Sequence, residues 1–208
     1  MIRSSMSCSV RRHVLSVALA SACACAAVLL VPRQAQAYDG SFDLGVDGDA
    51  TALLAPSPTN NNLSNWGGGF KVRFGDHFKL RNGLFLTPEV GYAFDHVFAA
   101  TNNGQTGEAE NMNRIFAGLR LGVGHNVIPT IYAHVGYGFR SVSENNTVAT
   151  NAGIIPGSNG LTVDTGVAVE FRVARHLFIG PHAEWVFIDT SVAAPQWLAF
   201  GGHIDFVF

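Results

Sequence analysis

Residues 197–208 read Trp-Leu-Ala-Phe-Gly-Gly-His-Ile-Asp-Phe-Val-Phe, and large apolar side chains occupy almost every second position. One face carries Leu198, Phe200, Ile204, Phe206 and Phe208, and the other carries Trp197, Ala199, His203, Asp205 and Val207. A period of two residues is the spacing at which side chains of a β-strand return to the same face. The stretch is therefore predicted to be a strand with one apolar face and one mixed face.

Seven upstream segments repeat this alternation, which gives eight predicted strands in all. They lie near residues 42–47, 70–74, 86–95, 114–123, 131–140, 163–172 and 179–187. Short links near 75–83, 125–130 and 173–176 alternate with longer polar links at 51–65, 97–111 and 141–160. This layout predicts an all-β, eight-stranded, antiparallel up-and-down transmembrane barrel whose long loops emerge at one end.

The first 37 residues are predicted to be a cleaved signal peptide. Arg11 and Arg12 precede an apolar run over residues 14–31, and Ala35-Gln36-Ala37 forms a small-x-small cleavage site. A membrane anchor, or a lipoprotein lipidated at Cys23, is the weaker alternative. We therefore expect two parts, a leader of residues 1–37 and an outer-membrane barrel of residues 38–208.

Composition excludes several classes of function. Four of the 13 basic residues precede residue 38, so the rest of the chain carries 9 basic residues against 15 acidic ones. This balance gives no support to nucleic-acid binding, which needs a basic surface. All three cysteines also precede residue 38, so the predicted barrel has no thiol for a disulfide, a thiolate metal site or a nucleophile. We expect no cofactor.

Alternation alone leaves open which face points outward. A soluble barrel would bury the apolar face, whereas a membrane barrel turns it to lipid and fills the lumen with the polar face. The polar face is rich in Gly and carries charges of both signs, which favours a crowded lumen. The predicted polar network of the lumen comprises Lys71, Arg73, Glu89, Arg114, Arg120, His134, Arg140, Asp164, Glu170, Arg172, His182 and Glu184. Asp95 is a further possible partner for its cations, whereas Glu108 and Glu110 are assigned to a loop.

Residues 41–208 resemble the small eight-stranded outer-membrane barrels of the OmpA/OmpX type. The resemblance rests on the hairpin layout, on Pro88-Glu89-Val90-Gly91-Tyr92-Ala93-Phe94, and on the terminal Phe206-Val207-Phe208. It implies a location in the outer membrane, contact with membrane lipid and lipopolysaccharide, and recognition by the barrel-assembly machinery. Phe206 and Phe208 would supply the assembly signal.

The resemblance specifies the architecture better than the individual function. We expect a structural or surface-interaction role with a plugged lumen, since eight strands enclose little more than their own side chains. The long loops could bind a surface ligand. A narrow channel or conduit for ions or small hydrophobic molecules is the alternative, and a lipid A-modifying enzyme is less expected because the predicted strands contain almost no Ser.

Three histidines, His134, His182 and His203, fall on the inward face. Histidine is a common metal ligand, but structural hydrogen bonding is the simpler role for a buried imidazole. The spacing His182-x-Glu184 matches part of a zinc-deaminase motif, yet the Cys-x-x-Cys that completes that motif does not occur. The sequence therefore predicts no metal site and no catalytic residue.

Overall fold

The fold is a closed antiparallel β-barrel. The computed structural model describes residues 41–55, 63–81, 83–99, 101–102, 105–106, 109–143, 158–190 and 195–208. The predicted signal peptide lies outside these residues. The strands are β1 Ser41–Ala55, β2 Leu63–Arg81, β3 Leu84–Ala99, β4 Thr101–Asn102, β5 Gln105–Thr106, β6 Ala109–Val123, β7 Val127–Ser143, β8 Ser158–Ala174, β9 Leu177–Thr190 and β10 Gln196–Val207.

Eight of these strands form the barrel in the order β1-β10-β9-β8-β7-β6-β3-β2, and β2 pairs with β1 to close it. The prediction of an all-β, eight-stranded up-and-down barrel is confirmed. The short strands β4 and β5 pair only with each other, within the link between β3 and β6. No helix in the described part of the chain is long and apolar enough to cross a membrane.

Pairing of the first and last strands closes the barrel. Asp43 lies opposite Val207, and the ladder continues to Leu53 opposite Trp197. At its end the Phe208 N–H donates to the Phe42 carbonyl oxygen at 2.9 Å. A closed barrel leaves no strand edge with unpaired N–H and C=O groups, which is the condition for crossing a hydrocarbon layer in strands.

One end of the barrel carries the tight turns, and the other carries the long links; we call them the turn end and the loop end. At the turn end Gly83 has φ of 82° and Gly124 has φ of 137°, a region that side chains disfavour. The Gly124 N–H donates to the Gly83 carbonyl oxygen at 2.8 Å. These two glycines let β2–β3 and β6–β7 reverse within very few residues.

The strands are longer than the alternation predicted. β1 continues to Ala55 and β2 begins at Leu63, so most of the polar run at 51–65 is sheet. β6 begins at Ala109 and therefore includes Glu110, which the sequence assigned to a loop. The prediction for Glu110 was wrong because backbone pairing with β7 extends beyond the segment in which apolar alternation is visible.

The apolar face is the outer face. Large hydrophobic side chains are exposed around the barrel, among them Phe42, Val46, Phe70, Phe74, Val90, Ile115, Ile131, Tyr137, Val167, Phe171, Ile179, Leu198, Phe200, Ile204 and Phe206. Charged side chains of the same strands are buried, Arg73 and Arg114 at 1% exposure. Such a continuous exposed apolar surface is rare in soluble monomers and matches the lipid-facing band of a membrane barrel.

Two valines of β8 test this orientation. Val167 lies near the middle of the strand and is 56% exposed, whereas Val173 lies near the turn end and is 52% exposed. An arginine at the midplane of a membrane barrel costs about 2–4 kcal/mol, against about 0–1 kcal/mol near the interface. We expect Val167→Arg to lower the unfolding free energy by the larger amount and Val173→Arg by the smaller, in urea titrations of vesicle-embedded protein. Equal losses would contradict a lipid-facing β8.

Candidate functional site

The lumen is filled by charged side chains that meet across the barrel axis. Arg73 of β2 lies near the centre of the turn-end half. Its Nη2 donates to Asp47 Oδ1 of β1 and to Asp205 Oδ1 of β10, both at 2.8 Å. Its Nη1 donates to Glu89 Oε2 of β3 at 3.2 Å. A single guanidinium thus joins three other strands, a use suited to its fixed fork of donors.

Glu89 is shared by three basic groups. Besides Arg73, its Oε2 accepts a bond from Arg120 Nε at 3.2 Å, and its Oε1 bonds to His134 Nε2. Arg120 then reaches across to β8, where its Nη1 donates to Glu170 Oε1 at 3.0 Å. The other ring nitrogen of His134 bonds to Asp164. One carboxylate therefore connects both halves of the lumen.

Arg114 organises the half nearer the loop end. It donates to Asp95 Oδ2 at 2.9 Å and to Asp164 Oδ2 at 3.0 Å, and its Nη2 lies 3.6 Å from Glu184 Oε1. Glu184 in turn bonds to Lys71. The contacts through Asp164 join this half to the half around Arg73.

The ion pairs form one continuous network with members on all eight barrel strands. Its members are Asp47, Lys71, Arg73, Glu89, Asp95, Arg114, Arg120, His134, Asp164, Glu170, Glu184 and Asp205. All are buried. Buried charges cost several kcal/mol each unless they are paired, and removing one partner of a buried pair typically costs about 3–5 kcal/mol.

Aromatic rings and glycines complete the packing. The Lys71 ammonium lies 5.4 Å from the ring centroid of Phe116 and 5.5 Å from that of Tyr132. Gly45 lies beside the Arg73–Asp205 pair, where an added Cβ would fall 2.3 Å from Asp205 Oδ1. The inward glycines therefore provide the space that the long charged side chains occupy.

The structure brings nine of the twelve predicted network residues together. They are Lys71, Arg73, Glu89, Arg114, Arg120, His134, Asp164, Glu170 and Glu184. Arg140 and His182 are also buried, but their bonds are to separate partners. Arg140 pairs with Glu110 near the loop end, and His182 pairs with Asp49.

Arg172 does not belong to the network, and its assignment to the lumen was wrong. The alternation places it on the inward face, but it lies at the end of β8 and is exposed. Its Nη2 donates to the Arg175 carbonyl oxygen in the adjacent turn at 3.0 Å, and its guanidinium lies 5.7 Å from the Phe178 ring centroid. The lumen ends before this position, so the side chain of Arg172 faces water rather than a buried partner even though the alternation places it on the inward face.

Asp47, Asp205 and Glu110 are network or pairing residues that the sequence-based assignment left out. Asp47 and Asp205 alternate with large apolar residues, so the same signal could have identified them. A further unpredicted feature lies toward the loop end, where several inward side chains are apolar. Met112, Val186, Ile188, Trp197 and Ala199 form a buried cluster there, with Leu53 packed against it.

Comparison with known proteins supports the fold. No protein-family model and no curated protein matches the sequence. Neisserial surface protein A superposes with a TM-score of 0.54 at 11% identity, over 80% of this chain and 97% of that one. Ail of Yersinia pestis, in complex with the heparin analogue sucrose octasulfate, gives a TM-score of 0.50 at 11% identity, over 81% and 100%. The outer-membrane enzyme PagL gives 0.45 at 11% identity, over 79% and 98%.

The chain has the fold of the small eight-stranded outer-membrane barrels. Its apolar outer face and charged interior agree with that class, in which lipid-facing and lumen-facing residues alternate along each strand. Its fold and its two faces are those of a barrel that crosses a membrane.

Two arginines that the alternation places on the inward face, Arg73 in the network and Arg172 outside it, provide a matched test of the network. Arg73→Ala leaves Asp47 without its buried partner and removes the guanidinium partner of Asp205 and one of the three basic partners of Glu89. We therefore expect it to lower the unfolding free energy by about 3–5 kcal/mol. Arg172→Ala removes an exposed charge, for which we expect less than about 1 kcal/mol. Urea titration of detergent-folded protein, followed by gel mobility, measures both. Similar losses for the two variants would be incompatible with Arg73 holding the network together.

Proposed function

We propose that this chain is a non-catalytic outer-membrane barrel with a closed lumen, and that it serves a structural or surface-interaction role. The observation that carries the proposal is the continuous ion-pair network across the lumen. Cations on β2 and β6 meet carboxylates on β1, β8, β9 and β10, so bonded side chains cross the space that a solute would have to traverse. Eight-stranded barrels enclose just enough room for such side chains, whereas open channels need about sixteen strands.

The packing around the network supports the same proposal. Lys71, Arg73 and Arg114 are among the most deeply buried side chains of the described strands. Toward the loop end the apolar cluster around Trp197 lies above the ion pairs, with the Arg114 guanidinium 5.5 Å from the Trp197 ring centroid. An ion would have to pass an apolar layer and then separate bonded pairs.

Planar-bilayer recording tests the closed lumen against the alternative of a narrow channel. We expect the refolded barrel to insert without stepwise ion currents, because conduction would require breaking buried ion pairs. Arg172→Ser, which leaves the network untouched, should be equally silent. Reproducible current steps from the wild-type protein would contradict the proposal, particularly if they changed when a network residue such as Arg114 was replaced.

We further propose that any surface ligand binds the links at the loop end through uncharged groups. The segments 56–62, 100–108, 144–157 and 191–194 contain no Lys or Arg, and their only charged residues are Glu108 and Glu144. Asn and Thr are frequent in them, and Ile154 and Ile155 are adjacent apolar residues. This composition favours an uncharged or apolar ligand over a polyanion.

The difference from Ail can be measured directly. Sulfate groups are recognised by Arg and Lys, and the four loop segments have neither. We expect no saturable binding of sucrose octasulfate to the folded barrel by calorimetry, even at low ionic strength, where charge attraction is strongest. A mutant with two Lys residues introduced at Asn145 and Asn146 serves as a positive control. Tight, salt-sensitive binding to the wild-type chain would contradict an uncharged binding surface.

Export and assembly form part of the proposal. Cleavage after Ala37 would release a chain that starts at Tyr38, as the Ala35-Gln36-Ala37 site supports. Phe206 and Phe208 are exposed on the outer face at the turn end, where the barrel-assembly machinery could read them. Membrane lipid and lipopolysaccharide would contact the exposed apolar band.

A non-catalytic role is supported by where the serines lie. In the described strands Ser41, Ser64, Ser141, Ser143 and Ser158 all lie within two residues of a strand end. His134 instead bonds to carboxylates in the network, and His182 bonds to Asp49. A serine hydrolase requires Ser, His and a carboxylate within hydrogen-bond reach of one another.

A further inference from the structure

Three potential metal ligands meet inside the lumen near the turn end. Glu170 of β8, His203 of β10 and Asp205 of β10 each offer one ligand atom, and these atoms lie within 4.8 Å of one another. All three residues are buried, with His203 only 3% exposed. They come from two non-adjacent strands, so their ligand atoms approach a common point from different directions.

The ligand atoms are available to bind. Among the described residues, His203 Nε2 has no hydrogen-bond partner, although it is buried. It lies 3.4 Å from Asp205 Oδ2. With zinc bonds of about 2.0–2.2 Å, two ligands of a tetrahedral zinc lie roughly 3.3–3.6 Å apart. The histidine and the aspartate are therefore already at the spacing of two zinc ligands.

Each carboxylate uses one oxygen for the network, which leaves the other for an ion. Asp205 Oδ1 accepts the bond from Arg73 at 2.8 Å, whereas Oδ2 faces His203. Glu170 Oε1 accepts bonds from both Arg120 and Thr130, at 3.0 and 3.1 Å. Metal-binding carboxylates are typically held in this way by outer hydrogen bonds that fix their orientation.

A glycine on the strand between them allows Glu170 and His203 to lie close together. Gly180 of β9 lies directly opposite His203 on β10, and an added Cβ at Gly180 would fall 3.2 Å from the Glu170 Cα. The strand between the two ligands therefore presents no side chain that would separate them. An ion placed there would contact ligands from both sides.

A fourth carboxylate and the local charge favour a cation. Asp43 lies on β1 diagonally across from Asp205, and its buried Oδ1 has no hydrogen-bond partner in the described part of the chain. The turn-end half of the lumen buries five carboxylates beside two guanidinium groups and the imidazole of His134, which bonds to Glu89. The carboxylates are those of Asp43, Asp47, Glu89, Glu170 and Asp205, and the guanidinium groups are those of Arg73 and Arg120.

We propose that Glu170, His203 and Asp205 form a binding site for a divalent transition-metal ion of the zinc type, with Asp43 as an additional ligand or charge partner. One imidazole nitrogen with two or three carboxylate oxygens is a ligand set that zinc and its neighbours accept, whereas magnesium and calcium favour oxygen alone. Such a site would give His203 a role beyond the hydrogen bonding that the sequence predicts for the lumen histidines. It neither requires nor excludes conduction.

Binding is tested with Co²⁺ and Zn²⁺ on the untagged, refolded, full barrel in detergent. Co²⁺ bound to a nitrogen and oxygen ligand set absorbs visible light, so its spectrum reports coordination directly. We expect one equivalent of Co²⁺ to develop this spectrum and one equivalent of Zn²⁺ to displace it. His203→Ala should weaken Co²⁺ binding by more than about 100-fold, the upper range seen for loss of supporting groups at metal sites.

His176→Ala is the matched control, because His176 is an exposed histidine in the turn between β8 and β9. It should bind Co²⁺ as the wild type does. Asp43→Asn and Glu170→Gln should weaken binding while the shift in gel mobility on heating shows that the barrel still folds. These two carboxylate variants still test the site if His203→Ala fails to fold.

The site would be overturned by the absence of a Co²⁺ spectrum from the folded wild-type barrel. Equal binding by the wild type and the folded Asp43→Asn, Glu170→Gln and His203→Ala variants would also overturn it. Loss of binding in His176→Ala with retention in His203→Ala would place the ion on the turn surface, and would equally reject the proposal. The bilayer recordings are independent of all these outcomes.

Discussion

The bonds of Arg73 to Asp47, Glu89 and Asp205 are the interaction on which the rest of the barrel depends. A charge inside a barrel that is surrounded by lipid has no bulk water nearby, so it is tolerated only when a bonded partner faces it. These partners come from β1, β3 and β10. The need for every lumen charge to face a bonded partner fixes the register of each strand, because a slip of one residue would turn every lumen charge of that strand toward lipid.

The same requirement explains the distribution of small residues. A lumen that holds five buried Lys and Arg side chains in the described strands has little room for other side chains. At Gly118 an added Cβ would lie 2.3 Å from the His134 ring, and at Gly91 it would lie 2.4 Å from the Phe116 ring. Glycine on the inward face is therefore a consequence of the length of the charged residues beside it.

Alternation along the sequence could predict the eight barrel strands and most lumen charges. The orientation of the faces followed from the glycine content of the polar face and its charges of both signs. Alternation succeeded for Arg120 and His134 because each lies in the middle of a long alternating run. It failed for Arg172 and Glu110, since periodicity does not show where the lumen ends or how far pairing extends. It also could not pair Arg73 with Asp205, which are 132 residues apart, because contacts across a lumen depend on barrel closure and strand stagger.

Near the turn end an excess of acid remains, because the buried carboxylates outnumber the basic side chains beside them. Another arginine could neutralise it only if space existed, but an added Cβ at Gly45 would already lie within 3 Å of both Arg73 and Asp205. A metal ion needs far less volume than a guanidinium and brings two positive charges to the unshared oxygens. The crowding of the lumen thus also favours a bound cation over a further side chain at Glu170, His203 and Asp205.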